Sequence, residues 1–295
     1  MSILAYCLIV IALILAGFLI FSLCSNIIFW YETLNTPECD VPLPKPGIFV
    51  CISKFFVSLY GYFLCVGLFP FGPLLGIAPV AAKHADAKLP PLIFIHGLYN
   101  NAAVWLYLAR RLRKEGYSVS TFSYSSFFVP LNTIRNRLDA HISRVEQLHP
   151  GLKPVIIGHS LGGIITRTWL LDAKNRARLS GLVTIATPHG GSKLAALAKG
   201  ALAKNLMPGS ELIAALREVP ELPFPCLAIV SPMDEAVLPA THLVPPLPPR
   251  GNWQLRLTAS VGHFSTLFHP RTAAIMLETL ESMRAVRHDT QGTIA

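Results

Sequence analysis

The chain has 295 residues, 52% of them hydrophobic, with a mean hydropathy of +0.50 and a formal net charge of +9. Residues 1–82 carry three acids against two lysines, so the basic surplus belongs to the remainder, where it is dispersed and accompanies no nucleic-acid motif. No fixed-period repeat is present, which excludes solenoids. Five of the six cysteines fall in residues 1–65, so no disulfide can form within the later part of the chain, in agreement with a reducing compartment.

Ser2–Cys24 contains no charged residue, and the uncharged run continues to Tyr31. That exceeds the ~20 residues that cross a bilayer. A cleaved secretory signal fits less well, because the run lacks a basic start, is too long and closes on no A-x-A site. A retained anchor is expected. Phe55–Ala82 is a second uncharged stretch long enough to span, which Pro70, Pro73 and Pro79 should kink or turn back on itself. The alternative is an apolar collar packed on the rest of the chain. Residues 1–82 are therefore expected to form a membrane region with one or two transmembrane helices, leaving 83–295 within the size range of a self-sufficient domain. An acidic loop between the stretches, with basic Lys83, Lys88, Arg110, Arg111, Arg113 and Lys114 beyond them, places that domain on the cytoplasmic side. A basic globule held at a membrane suits anionic lipid headgroups.

From residue 91 onward strand-like and helix-like patterns alternate. Pro91–Ile95 reads as an apolar strand ending in His96-Gly97, followed by an amphipathic helix over Ala102–Glu115 and a strand over Tyr117–Tyr124. Leu131–Leu148 is helical, Lys153–Ile157 is a buried strand, Ile164–Leu171 is helical, and Gly181–Thr187 is a strand. Between His189 and Pro223 the strand pattern stops. Leu194, Leu197, Ala198, Ala201 and Leu202 form one helical stripe there, flanked by Lys193, Lys199 and Lys204, and a short helix follows over Glu211–Glu218. Residues 189–223 fit either a lid over an active site or ordinary amphipathic surface helices. Strands over Pro225–Val230 and Trp253–Leu257 are joined through Val244–Pro249, a stiff polyproline connector. Arg271–Arg287 closes the chain as a helix with Ile275, Met276, Leu280 and Met283 on one face. Such alternation implies an α/β fold, a mostly parallel sheet flanked by helices.

Gly158-His159-Ser160-Leu161-Gly162-Gly163 stands where a buried strand meets a helix. A G-x-S-x-G in that setting is a nucleophile elbow: the turn is too tight for side chains beside the serine, and the hydroxyl of Ser160 is pushed into the open. The peptide N–H of Leu161 then points from the helix N-terminus at any oxyanion formed there, and the His96-Gly97 loop can bring a second donor from Leu98. A serine hydroxyl needs a neutral imidazole to take its proton. His263, behind Gly262 and after a strand, suits that role better than His269, which stands at a helix start. Asp234, just beyond the strand ending at Val230, is the carboxylate to orient the imidazole, with Glu235 next in line and Asp172 a surface acid. His96 and His189 are expected to shape the loops, and His159 to be a packed neighbour.

The order Ser160, Asp234, His263 is that of the α/β-hydrolases, and the chain resembles that superfamily over residues 88–290. Thr187-Pro188-His189-Gly190-Gly191 is similar to the T-P-H-x-G stretch of bacterial lipases and related lipid esterases. The resemblance implies a serine esterase or lipase acting on a lipid or acyl ester without a cofactor, and the uncharged stretches put it in a membrane, in a bacterium the inner one. Some bacterial lipases hold a calcium ion beside the catalytic histidine. Phe264-Ser265-Thr266 lacks the acid they use, so no metal is expected. Two other readings stay open: thioester hydrolysis or acyl transfer by the same triad, and a non-catalytic membrane scaffold.

Overall fold

A computed structural model describes residues 2–35, 41–43, 45, 47–81, 89–246 and 252–292. Six strands, β1 (Leu92–Ile95), β2 (Val119–Phe122), β3 (Val155–His159), β4 (Gly181–Ile185), β5 (Cys226–Val230) and β6 (Trp253–Leu257), pair in parallel in the order β2-β1-β3-β4-β5-β6. The helices are α1 (Ile3–Asn35), α2 (Ile48–Leu68), α3 (Gly72–Leu75), α4 (Leu106–Lys114), α5 (Leu131–Leu148), α6 (Leu161–Trp169), α7 (Ala173–Arg176), α8 (Ala201–Asn205), α9 (Glu211–Arg217) and α10 (Pro270–Gly292).

The inner strands are apolar without alternation because helices cover both faces of the sheet. Leu92, Phe94, Val155, Ile157, Val183, Leu227 and Ile229 face a layer built from Trp105, Leu108 and Leu112 of the α4 segment and Met276 and Leu280 of α10. Ile93, Ile95, Ile156, Leu182, Ala228 and Val230 face the opposite layer, with Ile134, Leu138 and Ile142 of α5 and Ile164 and Ile165 of α6. Each such side chain contributes roughly 1.5–3 kcal/mol on leaving water. From β1 the chain adds β2 on one side and later returns to add β3 on the other. The carboxyl ends of β1 and β3 therefore flank the crevice in which open parallel sheets bind ligands.

Two expected helices differ in detail. Ala102–Trp105 is a 3-10 turn, with Asn101 accepting the Ala103 N–H at 3.0 Å, and only then does α4 begin. The single stripe expected over Leu194–Leu202 is divided into a 3-10 turn over Lys193–Leu197 and the short α8. Between them Gly200 lies at φ 97°, which ends one element and reorients the next. Leu194, Ala195, Leu202, Ile213 and Leu216 of this region are buried, while Leu197 is exposed. Of the polyproline connector, Leu247–Pro249 lie outside the described residues, as do Glu38, Asp40, Lys83 and Lys88.

Leu15–Asn35 and Ile48–Leu75 are long and apolar enough to cross a membrane. They expose large side chains such as Ile20, Ile27, Phe49 and Phe56. The second run begins at Ile48 rather than after Lys54, so the helix carries a lysine inside it. The proline-rich end packs on the sheet. Pro70 and Pro73 sit in first turns, where no N–H is missed, and the chain beyond them covers the edge of β2. There Ile77 accepts the Thr121 N–H at 2.9 Å, and the His149 ring lies 3.0 Å from the Val80 carbonyl.

Candidate active site

Ser160 joins β3 to α6 with φ 52° and ψ −121°, a backbone region that side chains rarely adopt and that costs of order 1–3 kcal/mol. The turn persists because its surroundings hold it. The Ser160 N–H donates to the Ile185 carbonyl at 2.9 Å, and Thr187 Oγ1 donates to the Ser160 carbonyl at 3.1 Å. Glycines are required on both sides: a Cβ at Gly158 would stand 2.6 Å from the Gly163 nitrogen, and one at Gly162 would overlap the Ile95 carbonyl. The Thr-Pro-His stretch thus buttresses the elbow from β4.

The loop after β1 comes as close. A Cβ at Gly97 would lie 2.9 Å from that of Ser160, so this loop passes directly over the serine. His96 fixes it: its Nε2 accepts the Tyr124 N–H at 3.1 Å, Nδ1 stands 2.9 Å from the Gly97 carbonyl, and the ring stacks on Tyr124 at 4.2 Å. Burial pushes the His96 pKa down to about 4, so the ring is a neutral strut. The turn through Leu98 is tied further by the Tyr99 N–H, which donates to Ser126 Oγ at 3.1 Å, and by the Lys199 N–H, which donates to the Tyr99 hydroxyl at 2.8 Å. Leu161 is the first residue of α6, where backbone N–H groups have no partner within the helix.

Asp234 and Glu235 lie beyond β5, and His263 lies beyond β6; all three side chains are buried. His263 Nδ1 stands 2.8 Å from Asp234 Oδ2 and 3.0 Å from Oδ1. Asp234 Oδ1 also accepts the N–H groups of Ala236 and Val237 at 2.9 and 3.0 Å, which locks the carboxylate. Glu235 accepts the His263 backbone N–H at 3.2 Å and makes no hydrogen bond to the ring. Burial pulls the His263 pKa down, but the Asp234 charge and hydrogen bond, with the Glu235 charge, outweigh it and leave it above the ordinary value. The His263 ring lies 4.7 Å from that of His159, beside the elbow. Ser160 Oγ makes no hydrogen bond among the described residues, and His263 Nδ1 is taken by Asp234.

The competing groups are elsewhere. Asp172 caps α7 at the surface and pairs with Lys174. His269 accepts the Arg271 N–H at the start of α10. His159 is buried and held neutral by burial and by the nearby His263. His189 bridges Arg167 and Thr184 at 3.2 Å each, supporting the elbow helix from behind. A shallow surface crevice is lined by Arg167, Leu170, Asn252 and Trp253 among others, and by none of Ser160, Asp234 or His263. Among the described residues no group of three or more His, Cys, Asp or Glu is placed to hold a metal.

Sequence reading missed Lys54. Its ammonium is buried, 3.3 Å from Glu235 Oε2, and lies 4.1 Å over the ring of Phe29 in α1. The available signal was a single lysine in an otherwise uncharged helix, since an ionisable group in such a run is held by a partner.

The alpha/beta hydrolase fold family model matches residues 90–228, from β1 into β5; Asp234 and His263 lie past its end. A search of curated proteins by sequence found no match. Among solved structures, the mature lipase BlEst2 of Bacillus licheniformis is similar at 20% identity and a TM-score of 0.56, over 68% of this chain and 96% of that one. Lipase B of Aspergillus fumigatus is similar at 15% identity and 0.55, over 71% of this chain and 56% of its own. A metagenome-derived lipolytic enzyme from the work on LipS and LipT is similar at 17% and 0.52, over 71% and 96%. At these identities the likeness speaks for the fold. The chain has the α/β-hydrolase fold and resembles lipases and esterases built on it.

Proposed function

We propose that the protein is a membrane-anchored serine hydrolase that cleaves carboxylic esters of lipid or acyl-ester substrates through Ser160, His263 and Asp234. The observation that carries this is the strained Ser160 turn at the crevice of the sheet, with a buried His263–Asp234 pair beside it. Ser160 Oγ attacks the ester carbonyl while His263 Nε2 takes its proton. Asp234, on Nδ1, holds the tautomer that leaves Nε2 free and stabilises the imidazolium. The tetrahedral oxyanion lies against the N–H groups of Leu98 and Leu161, each worth roughly 3 kcal/mol in the transition state. His263 then returns its proton to the leaving alcohol, and water repeats the sequence on the acyl-enzyme.

Membrane residence is supported by Leu15–Asn35 and Ile48–Leu75 and by the apolar side chains they expose. Local concentration at the bilayer favours a lipid substrate. Exposed Phe127 and Phe128, with Tyr99 stacked on Phe127 at 4.7 Å, lie next to the oxyanion turn and suit an acyl chain arriving from an apolar phase. The basic residues of the 83–295 segment support a cytoplasmic side for it. The test is labelling of the detergent-solubilised protein with a serine-reactive fluorophosphonate, followed by a screen of acyl-chain length. Labelling that Ser160→Ala abolishes is expected. Equal labelling of both proteins sinks the assignment, and an unlabelled wild type points to a scaffold.

A further inference from the structure

Asp234 and Glu235 are adjacent buried carboxylates that hold the same histidine at two different points. Asp234 takes the ring, at 2.8 Å, and Glu235 takes the backbone N–H, at 3.2 Å. Thr266 Oγ1 donates to the His263 carbonyl at 2.6 Å, so the residue is gripped on three sides. Two anions this close repel and lose hydration unless a cation compensates. Lys54 on α2 is that cation, at 3.3 Å from Glu235, with the Phe29 ring covering its other side. The helix carrying it is fitted to the histidine loop. A Cβ at Gly262 would stand 2.8 Å from Ser58 Oγ and 2.9 Å from Glu235 Oε2, and Ser265 Oγ donates to the Val57 carbonyl at 2.8 Å.

We propose that Lys54 and Glu235 form a positioning unit for the catalytic base, in which α2 supplies the cation that keeps Glu235 on the His263 backbone N–H and so sets the imidazole on Asp234. The proposal rests on the Ser160–His263–Asp234 reading. Neither residue touches the reacting atoms, and both act through the placement of His263. The helical hairpin is on this account part of the catalytic apparatus, in addition to any anchoring role. A purely structural ion pair is the competing account, and it predicts changes in stability alone.

The groups around His263 are Asp234 and Glu235 from the loop after β5, His159 from the end of β3, and Lys54 and Tyr62 from α2. In Glu235→Gln the amide oxygen can still accept the N–H, but one of the two anions that favour the imidazolium is gone. The acid limb of kcat/KM for a short ester should therefore move to lower pH. Loosened placement of the ring should cost roughly 10- to 100-fold in kcat with KM nearly unchanged. Lys54→Met should lose kcat to a similar degree and melt at a lower temperature, because it leaves Glu235 buried without its cation. Lys54→Arg should retain most of the activity.

The double variant Lys54→Met/Glu235→Gln removes both charges and decides the matter even if a single variant fails to fold. It is expected to melt near the wild-type temperature and yet keep the reduced kcat and the displaced acid limb. A folded double variant with wild-type kcat and pH profile overturns the proposal. Ser160→Ala, assayed in parallel as full-length protein in the same detergent, separates the two readings. If it is inactive while the double variant behaves as wild type, only the positioning role is lost; if it turns over ester normally, the triad itself is wrong.

Discussion

On the proposed mechanism, the demands of catalysis and stability oppose each other at Ser160. The φ of 52° presents the hydroxyl at the crevice but holds a side-chain-bearing residue where glycine is preferred. Ser160→Gly should therefore raise thermal stability, by about 1 kcal/mol, while abolishing ester turnover. Ser160→Ala should be equally inactive without that gain, and paired melting and activity assays distinguish the two. His263→Ala should be nearly as damaging as loss of the serine, because the members act as a unit. Asp234→Asn is expected to cost ~10⁴-fold by favouring the wrong tautomer. If His269→Ala proves inactive and His263→Ala active, the base is misassigned. The pH dependence follows from the same contacts. The base works only when neutral, and Asp234 with Glu235 holds its proton more tightly than water would. Activity should fall as pH drops through a half-maximal point above the ordinary histidine value of about 6.5. An acid limb centred well below that value contradicts the Asp234 contact. That Ser160, Asp234 and His263 follow strand ends, and that Asp234 meets the His263 ring, was legible in short local patterns. Glu235 was read only as an alternative to Asp234, and its hold on the His263 backbone was not foreseen. Nor was Lys54, because its meaning depends on a partner 181 residues away.

Among the elements, α2 and the loop carrying His263 approach most closely at glycines. A Cβ at Gly61 would stand 2.5 Å from Ser265 Oγ and 2.9 Å from the Ser265 backbone nitrogen, which cannot retreat as a flexible side chain can. Gly61→Ala should force the helix off the loop, with a loss of roughly 1–3 kcal/mol in stability, as for other overpacked contacts, and a reduced kcat. Gly67→Ala in the same helix meets nothing within 4 Å and serves as the control. Equal melting temperatures for the two variants contradict the interlock. Periodicity anticipated the core elements well, with the Leu131–Leu148 helix matched to the residue and the strands close to their expected bounds. It failed where backbone conformation rather than apolar spacing decides the element. Gly200 breaks the stripe over Leu194–Leu202, and Asn101 starts a 3-10 turn where a continuous helix was expected. Residues 76–80 read as the end of a span because hydropathy does not distinguish lipid from the edge of a sheet.

For the whole molecule, the question is whether the hairpin and the hydrolase are separable. Length alone favours two units, since 83–295 falls within the usual range of a domain. The packing argues otherwise: Lys54, Ser58, Tyr62 and Cys65 of α2 are buried, Tyr62 meets Phe264 edge-on at 5.3 Å, and Lys193 pairs with Glu32 of α1 at 2.8 Å. The last of these is half exposed and worth at most about 1 kcal/mol. The first is decisive, because removing the lysine strands the Glu235 carboxylate in the protein interior, and losing one partner of a buried pair typically costs about 3–5 kcal/mol. That is a large part of the stability of an ordinary domain. Deleting residues 1–82 should therefore leave a protein that aggregates or melts far below the full-length chain and hydrolyses a short soluble ester poorly. Glu235→Gln in the truncated chain should recover part of its solubility by removing the stranded charge. Full-length protein, in contrast, should stay with the membrane pellet through high salt and alkaline carbonate, because an apolar anchor is indifferent to both. A truncated chain as stable and active as the full-length enzyme shows that the hairpin only tethers. Release of the full-length chain by carbonate shows instead that Leu15–Asn35 and Ile48–Leu75 lie on the protein and do not span the bilayer.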